Sequence, residues 1–174
     1  FIVGVASGAL LCNRLSKGIV NPALVTVGTL GLSLFAFDLS YASSIFAAAN
    51  VNFKDIMPGE FLTLKGSMRL SLDLVLIGMF GGLFIVPLNA MVQARTDISV
   101  RARVISINNI INSAFMEGGS LLGILFLTIL TWSILEFFVA IAILNIVFMS
   151  MIFSKVPEFT SSFILWPTSM KKGN

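Results

Sequence analysis

Three polar side chains stand inside long apolar runs and are the groups of this sequence best placed to do chemistry: Asp38, Asn112 and Glu117. A carboxylate at the centre of a hydrocarbon layer costs about 2.5–3.5 kcal/mol on insertion scales, so it persists where it binds or pairs with something. Asp38 therefore reads as a proton or cation coupling site, or as a contact for a substrate headgroup. The alternative is a structural carboxylate, protonated or paired with another helix. At about 100° per residue, Glu117 shares one narrow sector with Ser106, Ser113 and Ser120. That predicts a face turned towards protein or a water-filled cavity. Asn108 and Asn112 form a second polar stripe, with Asn109 between them. A helix polar on two sides belongs in a bundle interior or along a pathway. For Asn108 and Asn109 the plainer alternative is hydrogen bonding that only ties neighbouring helices together. Asp73 and Glu136 fall at the ends of their runs and read as interface residues within reach of water. Asp73 is expected in a first helical turn, where the helix dipole favours an acid.

Other chemistry is excluded by composition. The sequence has no histidine, which removes every mechanism that needs a histidine base, Ser-His-Asp chemistry included. Its single cysteine, Cys12, allows neither an internal disulfide nor a clustered Cys/His zinc site. No catalytic, cofactor-binding or metal-ligating residues are expected, and no enzymatic activity. The net charge is only +3, and the basic residues sit in short clusters between apolar runs. They read as topology signals and not as a nucleic-acid surface.

The elements that carry these residues follow from hydropathy. Of the 174 residues 57% are hydrophobic and 11% charged, where soluble domains carry about 25% charged residues. Lipid is the solvent that tolerates such a composition. Runs of roughly 20 apolar residues cross a core about 30 Å thick, and backbone polar groups in lipid must be bonded internally, so the runs should be helices. About five are expected, at 1–12, 22–49, 70–93, 104–130 and 134–153, the first reading as truncated. Residues 156–174 are expected to form a cytoplasmic tail or linker. Gly78 and Gly82 make a G-x-x-x-G pair, as do Gly4 with Gly8 and Gly119 with Gly123; small residues at this spacing let helix backbones approach closely. Pro87 should kink its helix or open its hydrogen bonding. Arg14 and Lys17, then Arg95, Arg101 and Arg103, then Lys155, Lys171 and Lys172 fall on one side if every run crosses once. Lys54, Lys65 and Arg69 fall on the other, in a connection turned at Pro58-Gly59. The excess of basic residues predicts that the first group, with the C-terminus, is cytoplasmic.

The stretch Gly81-Gly82-Leu83-Phe84-Ile85-Val86-Pro87-Leu88-Asn89-Ala90-Met91-Val92-Gln93, then Arg101-Ala102-Arg103-Val104-Ile105 and Asn108-Asn109-Ile110-Ile111-Asn112, resembles the lysophospholipid transporter branch of the major facilitator superfamily. In that family a G-G-x-F-x-V-P-L-x-A-x-x-Q helix precedes R-x-R-V-I-x-x-N-N-I-x-N. Residues 7–18 are similar to the family's eighth helix and the loop after it. The resemblance covers roughly residues 1–155 and implies that the runs are the last five of twelve helices. Val156-Pro157-Glu158-Phe159, with Phe163 and Trp166, is similar to the linker of members fused to a lysophospholipid acyltransferase. The acyltransferase signature is His-x4-Asp, so any such activity would lie outside a chain without histidine. Glu117 departs from the family pattern, where an apolar residue is expected.

What the resemblance implies is an all-α transmembrane bundle, the C-terminal part of a transporter in a bacterial inner membrane. It would move lysophospholipid by alternating access, with membrane lipid and a missing N-terminal half as its partners. The alternatives are the membrane portion of a bifunctional acyltransferase, a carrier of another solute, and a membrane scaffold.

Overall fold

In the computed structural model, residues 1–16, 21–50, 58–156, 159 and 161–165 are described. Lys17, Lys54, Lys171, Lys172, Pro157, Glu158 and Trp166, which entered the topology and tail expectations, lie outside them. The described residues are almost wholly helical: α1 (Ile2–Ser16), α2 (Ala23–Ala49), the single turn α3 (Pro58–Phe61), α4 (Ser67–Arg95), α5 (Arg101–Ile124) and α6 (Ile134–Lys155). A π-helical turn, Leu125–Ile129, prolongs α5. Four of these helices, counting α5 with its π-helical turn, are long and apolar enough to cross a membrane, and α1 is shorter. The described residues form an all-α bundle whose four long helices are apolar enough to cross a membrane.

The helices run past the edges of the apolar runs. α1 continues through Asn13 and Arg14 to Ser16, and α4 begins at Ser67, so it includes Arg69. Interior hydrogen bonding rewards the backbone whatever the side chain, so a helix ends where geometry stops it. At the start of α4 the stop is Gly66, whose φ of +96° is a left-handed conformation that side chains other than glycine's rarely tolerate. α6 starts on a reciprocal cap: Ser133 Oγ accepts from the Glu136 backbone N–H at 3.2 Å, and the Ser133 N–H donates to Glu136 Oε2 at 2.7 Å. The expected interface acid Glu136 is thus a capping residue.

α4 is the centre of the bundle. On one side it lies parallel to α1, and the Gly78/Gly82 pair faces the Gly4/Gly8 pair. A methyl group added to Gly82 would stand 2.6 Å from the Val5 carbonyl oxygen, and one on Gly78 would stand 2.5 Å from that of Phe1. On its other side α4 runs antiparallel to α2, where Gly28 meets Phe84 and Gly31 meets the Phe80 ring. Pro87 is buried, and α4 passes through it without a break in the helix. A helix in lipid tolerates proline where neighbouring elements enclose the opened turn.

α6 packs against α2 through polar contacts spread along its length. Ser40 Oγ donates to the Leu135 carbonyl at 3.3 Å, and Asn145 Nδ2 donates to Ser33 Oγ at 2.8 Å. Thr26 Oγ1 donates to the Phe159 carbonyl at 3.3 Å. Interhelical hydrogen bonds in membranes average about 0.6 kcal/mol, so these set register more than stability. Phe159 is buried with Val25, Met91 and Met149. The segment expected to be a cytoplasmic tail therefore begins by closing one end of the bundle.

α5 stands apart. It has no buried residue along its length, contrary to the expected interior position. Its start lines a cleft with the end of α4, and the Phe126 ring beyond its end packs tilted against those of Trp132 and Phe137, with ring separations of 4.6 and 6.3 Å. The Gly119/Gly123 pair meets no helix comparable to α1: Gly119 has open space, and Gly123 only approaches the Phe137 ring.

The glycine contacts predict opposite signs for neighbouring substitutions. Gly81→Ala, which meets nothing nearer than Leu32 at 4.0 Å, should raise thermal stability in detergent, because alanine favours a helix over glycine by up to about 1 kcal/mol. Gly82→Ala should lower it by roughly 1–3 kcal/mol through overpacking. Equal shifts for the two variants would show that α1 and α4 do not meet at Gly82.

Candidate functional site

The polar groups gather in two places. The first is the seam between α2 and α4. Asp38 lies eleven residues from the end of α2 at Ala49, on the order of 16 Å at about 1.5 Å rise per residue. Its Oδ1 accepts a 2.5 Å hydrogen bond from Arg69 Nη2, and the two form an ion pair. The Arg69 guanidinium also lies over the Tyr41 ring, 5.5 Å from its centre, a placement that attracts a cation to the aromatic face. Both members of the pair are reachable from outside, the Asp38 side chain 33% and that of Arg69 47% exposed.

Asp73 completes the group. It lies one turn beyond Arg69 on the same face of α4, the i,i+4 spacing at which helical side chains meet. It adjoins Asp38, the acid to which Arg69 donates. Asp73 is only 1% exposed, and its Oδ2 is buried with no hydrogen-bond partner among the described residues. The expected interface acid in a first turn is instead a buried acid in the second. The expectation missed it because the apolar run begins at Leu70, which hides both Ser67 and the Arg69/Asp73 pair.

The second place is the cleft between the end of α4 and the start of α5, of about 170 Å³, lined by Asn89, Gln93, Asn108, Asn109 and Asn112 with Val92 and Ile105. Amides can donate and accept at once, so one such cleft can hold a polar headgroup or bind waters. Asn112 is part of it. Glu117 is not: it is exposed on α5, and no described residue pairs with it. Of the serines that share its face, Ser106 and Ser120 donate to the carbonyls of Ala102 and Met116 on their own helix. Such back-bonding satisfies a hydroxyl without a partner helix. The face is less polar than its residue types suggest.

The basic loop between α4 and α5 is ordered by its own contacts. Arg101 Nη2 donates to the Thr96 carbonyl at 3.3 Å, and Thr96 Oγ1 donates to the carbonyl of Val92. Arg101 thereby closes the loop, while Arg103 is exposed. Asp38 and Asn112, both candidates from sequence, lie in different seams of α4 and form separate sites.

The ion pair predicts non-additive stability. Arg69→Gln alone should lower the melting temperature in detergent, since it leaves two acids facing each other. Adding Asp38→Asn to it should recover most of the loss. Additive effects in this cycle would mean that the pair does not form.

The chain matches no protein-family description, and neither a curated protein nor a solved structure shows significant similarity to it.

Proposed function

We propose that this chain is part of a membrane transporter that moves lysophospholipid by alternating access. The observation that carries the reading is the amide-lined cleft of Asn89, Gln93, Asn108, Asn109 and Asn112, set between two helices apolar enough to cross a membrane. A polar cleft opening beside apolar helix faces suits an amphiphile: the headgroup meets amides and the acyl chain stays in hydrocarbon. The order of the matching residues in α4 and α5 supports the lysophospholipid transporter branch of the major facilitator superfamily as its family. The uncovered length of α5 supports further membrane helices as partners. On this reading the membrane is a bacterial inner membrane, and the end of the bundle bearing Arg95, Arg101, Arg103 and Lys155 faces the cytoplasm.

The deciding experiment follows labelled lysophosphatidylethanolamine in spheroplasts of the organism that encodes the chain, with its gene intact or deleted. Uptake should fall on deletion, and Asn112→Leu should lower it roughly tenfold at unchanged protein level, the value of one good hydrogen bond to substrate. Unchanged uptake after deletion would refute lysophospholipid transport. Normal uptake with failed conversion to diacyl lipid would instead favour the acyltransferase alternative. Orientation has its own test in a Cys12→Ala background. A membrane-impermeant maleimide should label Leu62→Cys in intact cells and Ile98→Cys only after permeabilisation; both parent residues are well exposed. The opposite pattern would invert the topology.

A further inference from the structure

The seam between α2 and α4 holds an arrangement that the amide cleft does not explain. Two acids and one base are grouped within apolar helices. One acid, Asp73, is almost wholly buried, and its Oδ2 has no donor among the described residues. Arg69, the only base at the seam among the described residues, gives its hydrogen bond to the other acid, Asp38. With both acids ionised the group carries a net negative charge inside a low-dielectric layer, which is strongly disfavoured. Two neighbouring carboxylates also repel each other unless a proton lies between them. A single proton removes both problems. It brings the group to neutrality, and it supplies the missing donor in the form of a carboxyl hydrogen bonded to a carboxylate.

The geometry points to a proton-binding site formed by Asp38 and Asp73 together, in which one proton is shared across the α2–α4 seam beneath the Arg69 guanidinium. The proton belongs to the pair and to neither residue alone. Its exchange route runs by way of Asp38, because Asp38 is partly exposed and Asp73 is not.

Among the described residues, no other charged group competes for this role from the elements packed around it. On α2 the nearest ionisable neighbour is Tyr41, under the guanidinium. On α6 it is Glu136, held in the helix cap by Ser133. α3 and the turn after it bring Glu60 and Lys65, both exposed at the loop end of the bundle. α1 opens with Phe1 beside Gly78, while its ionisable side chains Cys12 and Arg14 lie towards the opposite end, Cys12 packing on Leu83.

In a transporter this proton would be the coupled ion. That role rests on the function proposed above, but the site itself does not, and it is tested without any transport assay. Infrared difference spectra of the full chain in lipid nanodiscs, in sodium-free buffer, report the C=O stretch of protonated carboxyls directly. The wild type should show this band in mildly acidic buffer and lose it in alkaline buffer. Asp73→Asn and Asp38→Asn should each abolish it, whereas Glu117→Gln and Glu136→Gln should leave it intact. If Asp73→Asn fails to fold, as judged by circular dichroism and size exclusion, Asp38→Asn decides, because its side chain is partly exposed. Absence of the band in the wild type, its survival in Asp38→Asn, or its loss on adding sodium at constant pH would overturn the proposal, the last by showing a cation site.

Discussion

Everything in this bundle hangs on the close approach of α1 to α4. In lipid there is no hydrophobic drive to press one apolar helix on another, so association must come from packing, hydrogen bonds and the freedom of displaced lipid. Glycines at 4, 8, 78 and 82 supply the packing by letting backbone touch backbone. With one side of α4 held there, its other side is presented to α2, and that placement brings Arg69 and Asp73 against Asp38. The cleft with α5 depends on the same helix, since Asn89 and Gln93 lie near its far end.

Polar groups in the bundle fall into two kinds. Ser33, Asn145, Thr26 and Ser40 are satisfied across helices, and Ser106, Ser120 and Thr29 within their own. These ask nothing further of the structure. Asp73 and the amides of the cleft are different, because their hydrogen-bonding capacity exceeds what the described neighbours provide. The amides are open to the outside, but a buried unpaired group such as Asp73 is where binding is usually found.

Much of this was legible in the sequence. Long apolar runs with few charges leave no alternative to helices, and the Gly78/Gly82 and Gly4/Gly8 spacing named the surfaces that meet. Hydropathy could not show where the helices end, because α4 starts three residues before its apolar run, at Ser67. That offset turned Arg69 from a loop cation into the partner of Asp38, and Asp73 from an interface acid into a buried one. The i,i+4 spacing of Arg69 and Asp73 was the available signal. The position of α5 was not legible at all: the same asparagines and serines fit an interior helix or an outlying one, and only tertiary contacts choose.

The tight turn through Thr131, Trp132 and Ser133 bears on how α5 finds its place. Thr131 takes a left-handed φ of 53°, and the Trp132 N–H donates to the Phe126 carbonyl at 2.9 Å, so the connection to α6 is both short and bent. At its other end α5 is joined to α4 by a loop of five residues, 96–100, tied by Arg101. A helix tethered at both ends has surrendered most of its translational freedom before it docks on anything. Its contacts with α4 and α6 therefore form at a high effective concentration and pay little of the usual entropic penalty of association. A weak and reversible contact is then enough to hold it in place.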